Sequence, residues 1–369
     1  MRGELPRWID VGVLPMINVL LAFFVAGFVV LIVGEDPLKA LEILLLGAFG
    51  SGEVIGYTLY YATNLIFTGL AVAVAFHAGL FNIGGEGQAY IGGLGVGLVA
   101  LSFDQSLSIW LLVPIAGLGG GLFGAAWALI PAWLQAYRGS HVVITTIMFN
   151  FLAASLMVYL MVNVLIKPGQ MSPESRSFAE EVWPATMQEV FASIGIEISR
   201  SPLNISFFWA LIACVLVWLL IWRTRWGYAI RTVGQNEKAA IYAGIEPKRV
   251  IVFSMVISGA LAGFVGLNEI LGVHHRLLLD FTAGYGFTGI AVALMGRNHP
   301  VGILLASLLF GGLYQGGTEL DFEMEAITRD LVLVIQGLVI LFSGALAYML
   351  TPMATRLWRA YEERRRTDG

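Results

Sequence analysis

The run VGVLPMINVLLAFFVAGFVVLIVG, Val11 to Gly34, carries no charged residue. A helix rising 1.5 Å per residue over that length crosses about 30 Å of hydrocarbon. Arg2 and Arg7 precede it, no A-x-A-like site follows, and it exceeds the roughly 7–15 apolar residues of a cleavable signal. It is therefore expected to be a retained first transmembrane helix. The rest of the 369-residue chain repeats the theme, with 58% AVILMFWYC and 12% charged residues. Soluble domains carry roughly 45–50% apolar and about 25% charged residues, so a soluble enzyme is excluded and an all-α polytopic membrane protein is expected. A net charge of −4 offers nothing to nucleic acid. The single cysteine, Cys214, excludes disulfides, CxxC zinc sites and thiol relays.

Further apolar runs fall at Val54–Ala75, Phe81–Leu101, Ile109–Leu134, Val142–Ile166, Phe207–Trp222, Val250–Val273, Thr282–Gly296, Val301–Gly316 and Leu331–Met349. With the first helix they make ten spans in one polytopic domain covering residues 1–369. Eight remain if Phe81–Leu101, which opens on glycines, and the short Thr282–Gly296 only re-enter. Leu38–Gly50 is too short to cross and is expected in or near the interface. Lys and Arg collect in the loop 223–249 (Arg223, Arg225, Arg231, Lys238, Lys248, Arg249) and in the tail 350–369 (Arg356, Arg359, Arg364, Arg365, Arg366). By the positive-inside rule both are cytoplasmic, and ten alternating spans put both termini there. The other side receives Glu35, Asp36, the glutamate-bearing segment Lys167–Ser206 and the stretch Glu319–Glu325.

Three small-xxx-small ridges, Gly93/Gly97, Gly117/Gly121 and Gly120/Gly124, announce close helix packing. Phe76-His77-Ala78-Gly79-Leu80 is echoed by Phe281-Thr282-Ala283-Gly284-Tyr285, on the opposite face by the charge-based topology. Such a pair is what an inverted repeat of helices 2–5 and 7–10 would give.

Phe81-Asn82-Ile83-Gly84-Gly85-Glu86-Gly87-Gln88 sets a carboxylate and two amides among three glycines. Each glycine lowers helix stability by about 1 kcal/mol relative to Ala, so the helix should break here. A carboxylate near the membrane requires a partner or a cavity. Either the break lines a permeation route, with Asn82, Glu86 or Gln88 touching cargo, or Glu86 caps a helix N-terminus in a turn. Thr145, Thr146 and Asn150 share one face of the fifth span, as interhelical glue or as a polar wall of the pathway. Phe76 joins Asn82, Gln88 and Asn150 as an aromatic candidate for cargo contact. His274, His275 and Arg276 lack a further ligand at zinc spacing and fit interfacial or binding-protein contact better. Ion coupling would require paired intramembrane carboxylates or histidines; Glu86 and Glu53 are the candidates, and neither has an evident mate.

Within 223–249, Gly234–Pro247 reads as a two-turn helix. Asn236 is the N-cap, Glu237 sits in the first turn, Gly244 at the C-terminal stop, and Pro247 bars continuation. Ala239, Ala240, Tyr242 and Ala243 would present a small flat surface with one aromatic anchor to a cytoplasmic partner. No G-x-x-x-x-G-K-[ST], HExxH or GxSxG is present, so the chain does not itself bind ATP through a P-loop, and a pump driven by its own ATP hydrolysis or a common membrane protease loses ground; an enzyme is not expected. No cofactor or metal is implied.

Three motifs, FNIGGEGQAYIGG (Phe81–Gly93), GSHVVITTIMFNFLA (Gly139–Ala153) and RTVGQNEKAAIYAGI (Arg231–Ile245), resemble the permease subunits of bacterial ABC importers of the sugar, nucleoside and branched-chain amino acid class. The first two are most similar to nucleoside-type permeases that work with a basic-membrane-protein lipoprotein. The resemblance runs from about Leu20 to Met349. It implies that Gly234–Ile245, matching G-x-N-x-x-A-A-x-Y-A-G-I, holds the coupling helix for a separate cytoplasmic P-loop ATPase, with Asn236, Glu237, Ala239, Ala240, Tyr242, Ala243 and Gly244 at its surface. It implies a second permease (self or paralogue), an extracytoplasmic substrate-binding lipoprotein, and a multi-pass bacterial inner-membrane location. His141 and the long segment Lys167–Ser206 depart from the pattern and leave the substrate open. A simple-sugar permease is the alternative; an ion-coupled secondary transporter would explain the echo but not the absent carboxylate pairs.

Overall fold

A computed structural model describes residues 6, 9, 13–195, 197–328, 330–339, 341–342, 352–356 and 358. The described residues form helices, turns and loops with one isolated β-bridge, Thr186 to Asn204. They fall into two compact units, residues 1–48 with 313–369, and residues 49–312.

The first unit contains α1 (Leu14–Val33), α2 (Pro37–Phe49), the end of α13 (Pro300–Glu323) and α14 (Asp330–Val339). Gly34 at φ +94° stops α1, as a left-handed C-cap should. The predicted interfacial segment is α2, a thirteen-residue helix, too short to cross. Most of the basic tail and the second half of the tenth expected span lie outside the described residues.

The second unit holds α3 (Gly52–His77), α4 (Gly85–Phe103), α5 (Ile109–Arg138), α6 (Val142–Asn163), α7 (Met187–Ala192), α8 (Ser206–Arg223), α9 (Arg225–Gln235), α10 (Glu237–Tyr242), α11 (Pro247–Gly263) and α12 (Tyr285–Met295). The helix begun by α11 carries on as a π-helical stretch, Leu267–His274. Among the described residues seven helices are long and apolar enough to cross a membrane. Six are α1, α3, α5, α6, α8 and α13, and the seventh is the continuous Pro247–His274 helix. The two spans singled out as short or broken behave accordingly: α4 starts only at Gly85, and α12 has eleven residues.

The glycine ridges explain the core of this unit. A methyl group on Gly263 would overlap the Gly120 carbonyl, and one on Gly124 the Gly259 carbonyl, so α5 and α11 touch backbone to backbone. Gly92 meets Gly263 in the same way, bringing α4 into the contact. The Gly93/Gly97 ridge serves differently, receiving the Phe281 ring and the Leu277 side chain from the segment after the π-helix. Close backbone approach of this kind gains dispersion and weak Cα–H···O contacts where lipid leaves little hydrophobic drive.

The irregular segment 164–205 is pinned at the end of α4. Asp104 accepts Arg176 Nη1 at 2.6 Å, Nη2 at 3.0 Å and the Ala179 amide at 3.0 Å. Ser175 exchanges backbone and hydroxyl bonds with Leu277, and Trp183 stacks on His275 at 4.0 Å. Thr186 and Glu189 form a capping box on α7.

Gly259→Val should force α5 and α11 apart and destabilise the protein by about 1–3 kcal/mol, the usual cost of overpacking. Thermal unfolding of the detergent-solubilised protein measures this, and an unchanged Tm would contradict the backbone contact.

Candidate functional site

The helix break lies at residues 78–84, largely ahead of the glycines expected to cause it: Gly84 ends the turn between α3 and α4, while Gly85 and Gly87 already belong to the first turn of α4. Gly79 takes φ +75°, which a side chain adopts poorly, and its backbone abuts Gly234 at the end of α9. Asn82, fully buried, organises the turn. Its Oδ1 accepts the Gly84 amide at 2.9 Å, and its Nδ2 donates to Gln88 Oε1 and to Ser258 Oγ, both at 2.9 Å. Ser258 in turn donates to the Ala71 carbonyl at 2.6 Å, tying α11 to α3. Asn150 reaches across from α6, accepting the Gly87 amide at 2.9 Å and donating to the Ile83 carbonyl at 3.0 Å.

Glu86 combines the two readings offered for it: it lies just after the break, and it caps a helix N-terminus. The helix is not its own. Its Oε1 accepts Thr282 Oγ1 at 2.6 Å and the Gly284 amide at 3.0 Å, and its Oε2 accepts the Gly286 amide at 2.7 Å. These are donors at the start of α12, where the helix dipole is positive. Gly85 and Gly286 lie so close that a Cβ on Gly286 would collide with the Glu86 amide, so the two N-termini meet end on. Gly284, the counterpart of Gly79 in the echoed motif, also takes a left-handed φ, +81°.

The remaining pathway candidates divide. Thr145 and Thr146 hydroxyls bond back to carbonyls of their own helix, Thr145 to His141 and Val142, Thr146 to Val142 and Val143. They give no interhelical bond; only Asn150 of that trio does. Asn82, Gln88 and Thr146 are buried, Glu86, Thr145 and Asn150 partly so, and Phe76 is exposed beside the Phe81 ring. Asn82, Glu86, Gln88 and Asn150 make a hydrogen-bonded plug at the turn, while Thr145, Thr146 and Phe76 take no part in those bonds.

A second buried polar cluster escaped the sequence reading. Glu269, 2% exposed, sits on the π-helical stretch and accepts the Tyr60 hydroxyl at 2.7 and 2.8 Å and the Asn64 amide. His274 Nε2 approaches it at 3.4 Å. Asn268 donates to Asn64 Oδ1 at 2.9 Å and accepts Asn204 Nδ2 at 3.0 Å. Glu53, by contrast, is exposed in the first turn of α3. The histidine pair expected to face outward partly turns in, His274 toward Glu269 and His275 against Trp183. Arg276 pairs with Glu174 at 3.3 Å. Among the described residues no three His, Cys, Asp or Glu side chains are placed to hold a metal.

The short helix of the basic loop forms as α10. Asn236 Oδ1 accepts the Ala239 amide at 3.1 Å, Gly244 takes φ +76°, and Pro247 opens α11 instead of merely ending α10. Glu237, Ala239, Tyr242, Ala243 and Gly244 are exposed, Tyr242 by 94%. Ala240 is the correction: at 0% exposure it faces the protein's own interior and cannot form part of an outward surface. Ile241, 58% exposed, takes that place.

Residues 54–344 match the family described as branched-chain amino acid transport system / permease component. A guanosine ABC transporter permease of Bacillus subtilis is 35% identical over 333 residues, 89% of this chain and 91% of that protein. A nucleoside ABC transporter permease of Lactococcus lactis is 34% identical over 89% of both chains. A glucose ABC transporter permease of Haloferax volcanii is 34% identical over 92% of this chain and 89% of its own.

Glu269→Ala should strand the Tyr60 hydroxyl and Asn64 amide in the interior, at about 1–3 kcal/mol for each unsatisfied group. A lowered Tm is expected, and an unchanged one would show that the cluster carries no stability. The Arg176 hydrogen bonds hold the Asp104 carboxyl below the usual carboxylate range. Its contribution to stability is therefore full above its unfolded pKa of about 3.9 and is lost as pH falls through the lower folded value. Asp104→Asn should lower Tm at neutral pH, with the gap to wild type closing below about pH 3.9; a gap independent of pH would refute the ion pair's role.

Proposed function

The chain belongs to the branched-chain amino acid transport system / permease component family, and on that footing we propose that it is the translocating subunit of a nucleoside importer. Membership of an ABC permease family implies a membrane location, a separate ATPase and a substrate-binding protein as partners. The nucleoside assignment is supported by the guanosine and nucleoside permeases among its relatives. The glucose permease, equally similar, makes simple sugars the second reading.

The observation that carries the coupling assignment is α10. A six-residue helix cannot hold itself together in water, yet this one is capped at both ends and shows Ile241 and Tyr242 to solvent. Buried Ala240 roots it in the permease, so its free face is fitted to a groove in another chain. The basic loop 223–249 is then cytoplasmic, as are the two termini. The ATPase dimer closes as a rigid body, and α10 passes the displacement to α11 through Pro247 and to α9 through Asn236. Gly234 leans on His77 and Gly79, immediately before the turn that carries Asn82 and Glu86. Tilting α9 therefore presses on the plug itself. Cargo delivered from outside would pass when the Glu86 junction and the Asn82–Gln88–Ser258 bonds rearrange, with Phe76, Thr145, Thr146 and Asn150 along the route. An inverted repeat fits the same arrangement. The packing of α3 on α12 and of α4 on α11 exchanges under it, and the Ala-Gly pairs at 78–79 and 283–284 correspond.

Tyr242→Asp should leave the permease inserted but abolish uptake and weaken ATPase co-purification at least tenfold, whereas normal uptake with the ATPase still bound would overturn the coupling assignment. With the complete complex reconstituted in vesicles, labelled guanosine and adenosine should accumulate on ATP addition while ribose and glucose do not. Accumulation of the sugars alone would replace the nucleoside reading by the sugar one.

A further inference from the structure

Between the end of α5 and the start of α11 lies a groove of about 450 Å³ lined by Trp133, Tyr137, Arg249, Val252, Phe253 and Val256. One cation, Arg249, lines it, and two more lie against its aromatic lining residues. The Arg138 guanidinium lies 5.4 Å from the Trp133 ring centre, the Lys248 ammonium 5.3 Å from that of Tyr137, and Arg249 stands on the rim. Trp133 and Tyr137 stack on each other at 6.0 Å, and Phe253 stacks on Trp226 at 4.4 Å. Among the described residues Glu246 pairs with this trio, taking the Arg249 Nε at 2.7 Å. We propose that this groove is a binding site for an anionic phospholipid of the leaflet at the basic end of the protein, its phosphate held by Arg138, Lys248 and Arg249 and an acyl chain laid against Val252, Phe253 and Val256.

The chemistry of the lining selects that occupant. Tryptophan and tyrosine settle at the membrane–water boundary, where a ring can be apolar on one side and wet on the other. Here they mark the depth at which a phosphate group would sit. Basic clefts between transmembrane helices attract anionic headgroups, each Lys or Arg contributing separately. A soluble anion would use the cations but gain nothing from the valines below them. A neutral lipid would use the valines but leave the cations unmatched. Cation–π contact with two lining rings already orders Arg138 and Lys248, so little ordering remains to be done when a phosphate arrives. Because α11 begins at this groove and leads directly from α10, an occupied site would stiffen the joint between the coupling loop and the core.

The test is native mass spectrometry of the permease co-purified with its partners, equilibrated in detergent with equal amounts of phosphatidylglycerol and phosphatidylcholine of identical chains. Wild type should retain phosphatidylglycerol in clear excess. Arg138→Gln combined with Lys248→Gln should cut the ratio of the two bound lipids by about tenfold or more, the order set by losing two cations beside an anionic headgroup. Arg138→Lys with Lys248→Arg should preserve it, and co-purification of the partners checks that each variant is folded. No preference in wild type, or one unchanged by the charge-removing pair, would overturn the proposal. A preference seen in the isolated permease but absent from the assembled complex would also overturn it and give the groove to a protein partner. None of these outcomes depends on which solute is transported.

Discussion

The second unit depends on one carboxylate placed where two helices begin. Glu86 receives Thr282, Gly284 and Gly286 at the N-terminus of α12. Inside a membrane protein an isolated carboxylate is costly, and so are unpaired amides at a helix start. Here each settles the other. Charge-assisted bonds of this length are about twice as strong as neutral ones, and the α12 dipole adds to them. The local sequence follows from that junction. Gly286 is a glycine because the chains pass too closely there for a Cβ, and the eleven-residue α12 starts at this meeting point.

Around the junction the side chains at the turn bond to several elements. Asn82 binds within the turn and to α11, Asn150 ties α6 to it, and Ser258 returns to α3. Such a set is stable as a bonded plug and is poorly suited to continuous small deformation, because a half-broken network leaves unsatisfied groups in a medium without water. Any rearrangement of it is expected as a switch between two bonded arrangements. The glycine contacts of α4, α5 and α11 supply the rigid frame against which such a switch can act.

Much of this was legible in the residues. A break close to Gly84, the caps Asn236 and Gly244 and the short span near Thr282 follow from backbone preferences acting within a few positions, whereas Gly85 and Gly87 join α4 and Pro247 starts α11. The partner of Glu86 was not, because it lies some two hundred residues away and nothing local encodes it. Glu269 was hidden inside the apolar run 250–273, and the π-helical stretch that carries it has no evident sequence signature. Ala240 was assigned to the outward face because six residues are too few for a helical period to tell inside from outside. For Thr145 and Thr146 the sequence allows interhelical bonds or a polar wall of the pathway; their hydroxyls instead bond carbonyls of their own helix, a local option open to any Thr in a helix.

The most direct test of the Glu86 junction is a double-mutant cycle between Glu86→Gln and Thr282→Val, followed by thermal unfolding of the purified permease. Direct bonding predicts that the two substitutions are non-additive, with an interaction energy in the range of about 0.5–3 kcal/mol found for contacting residues. Losses that simply add would mean that Glu86 and the start of α12 do not hold each other, and the hydrogen-bonded turn would lose its foundation.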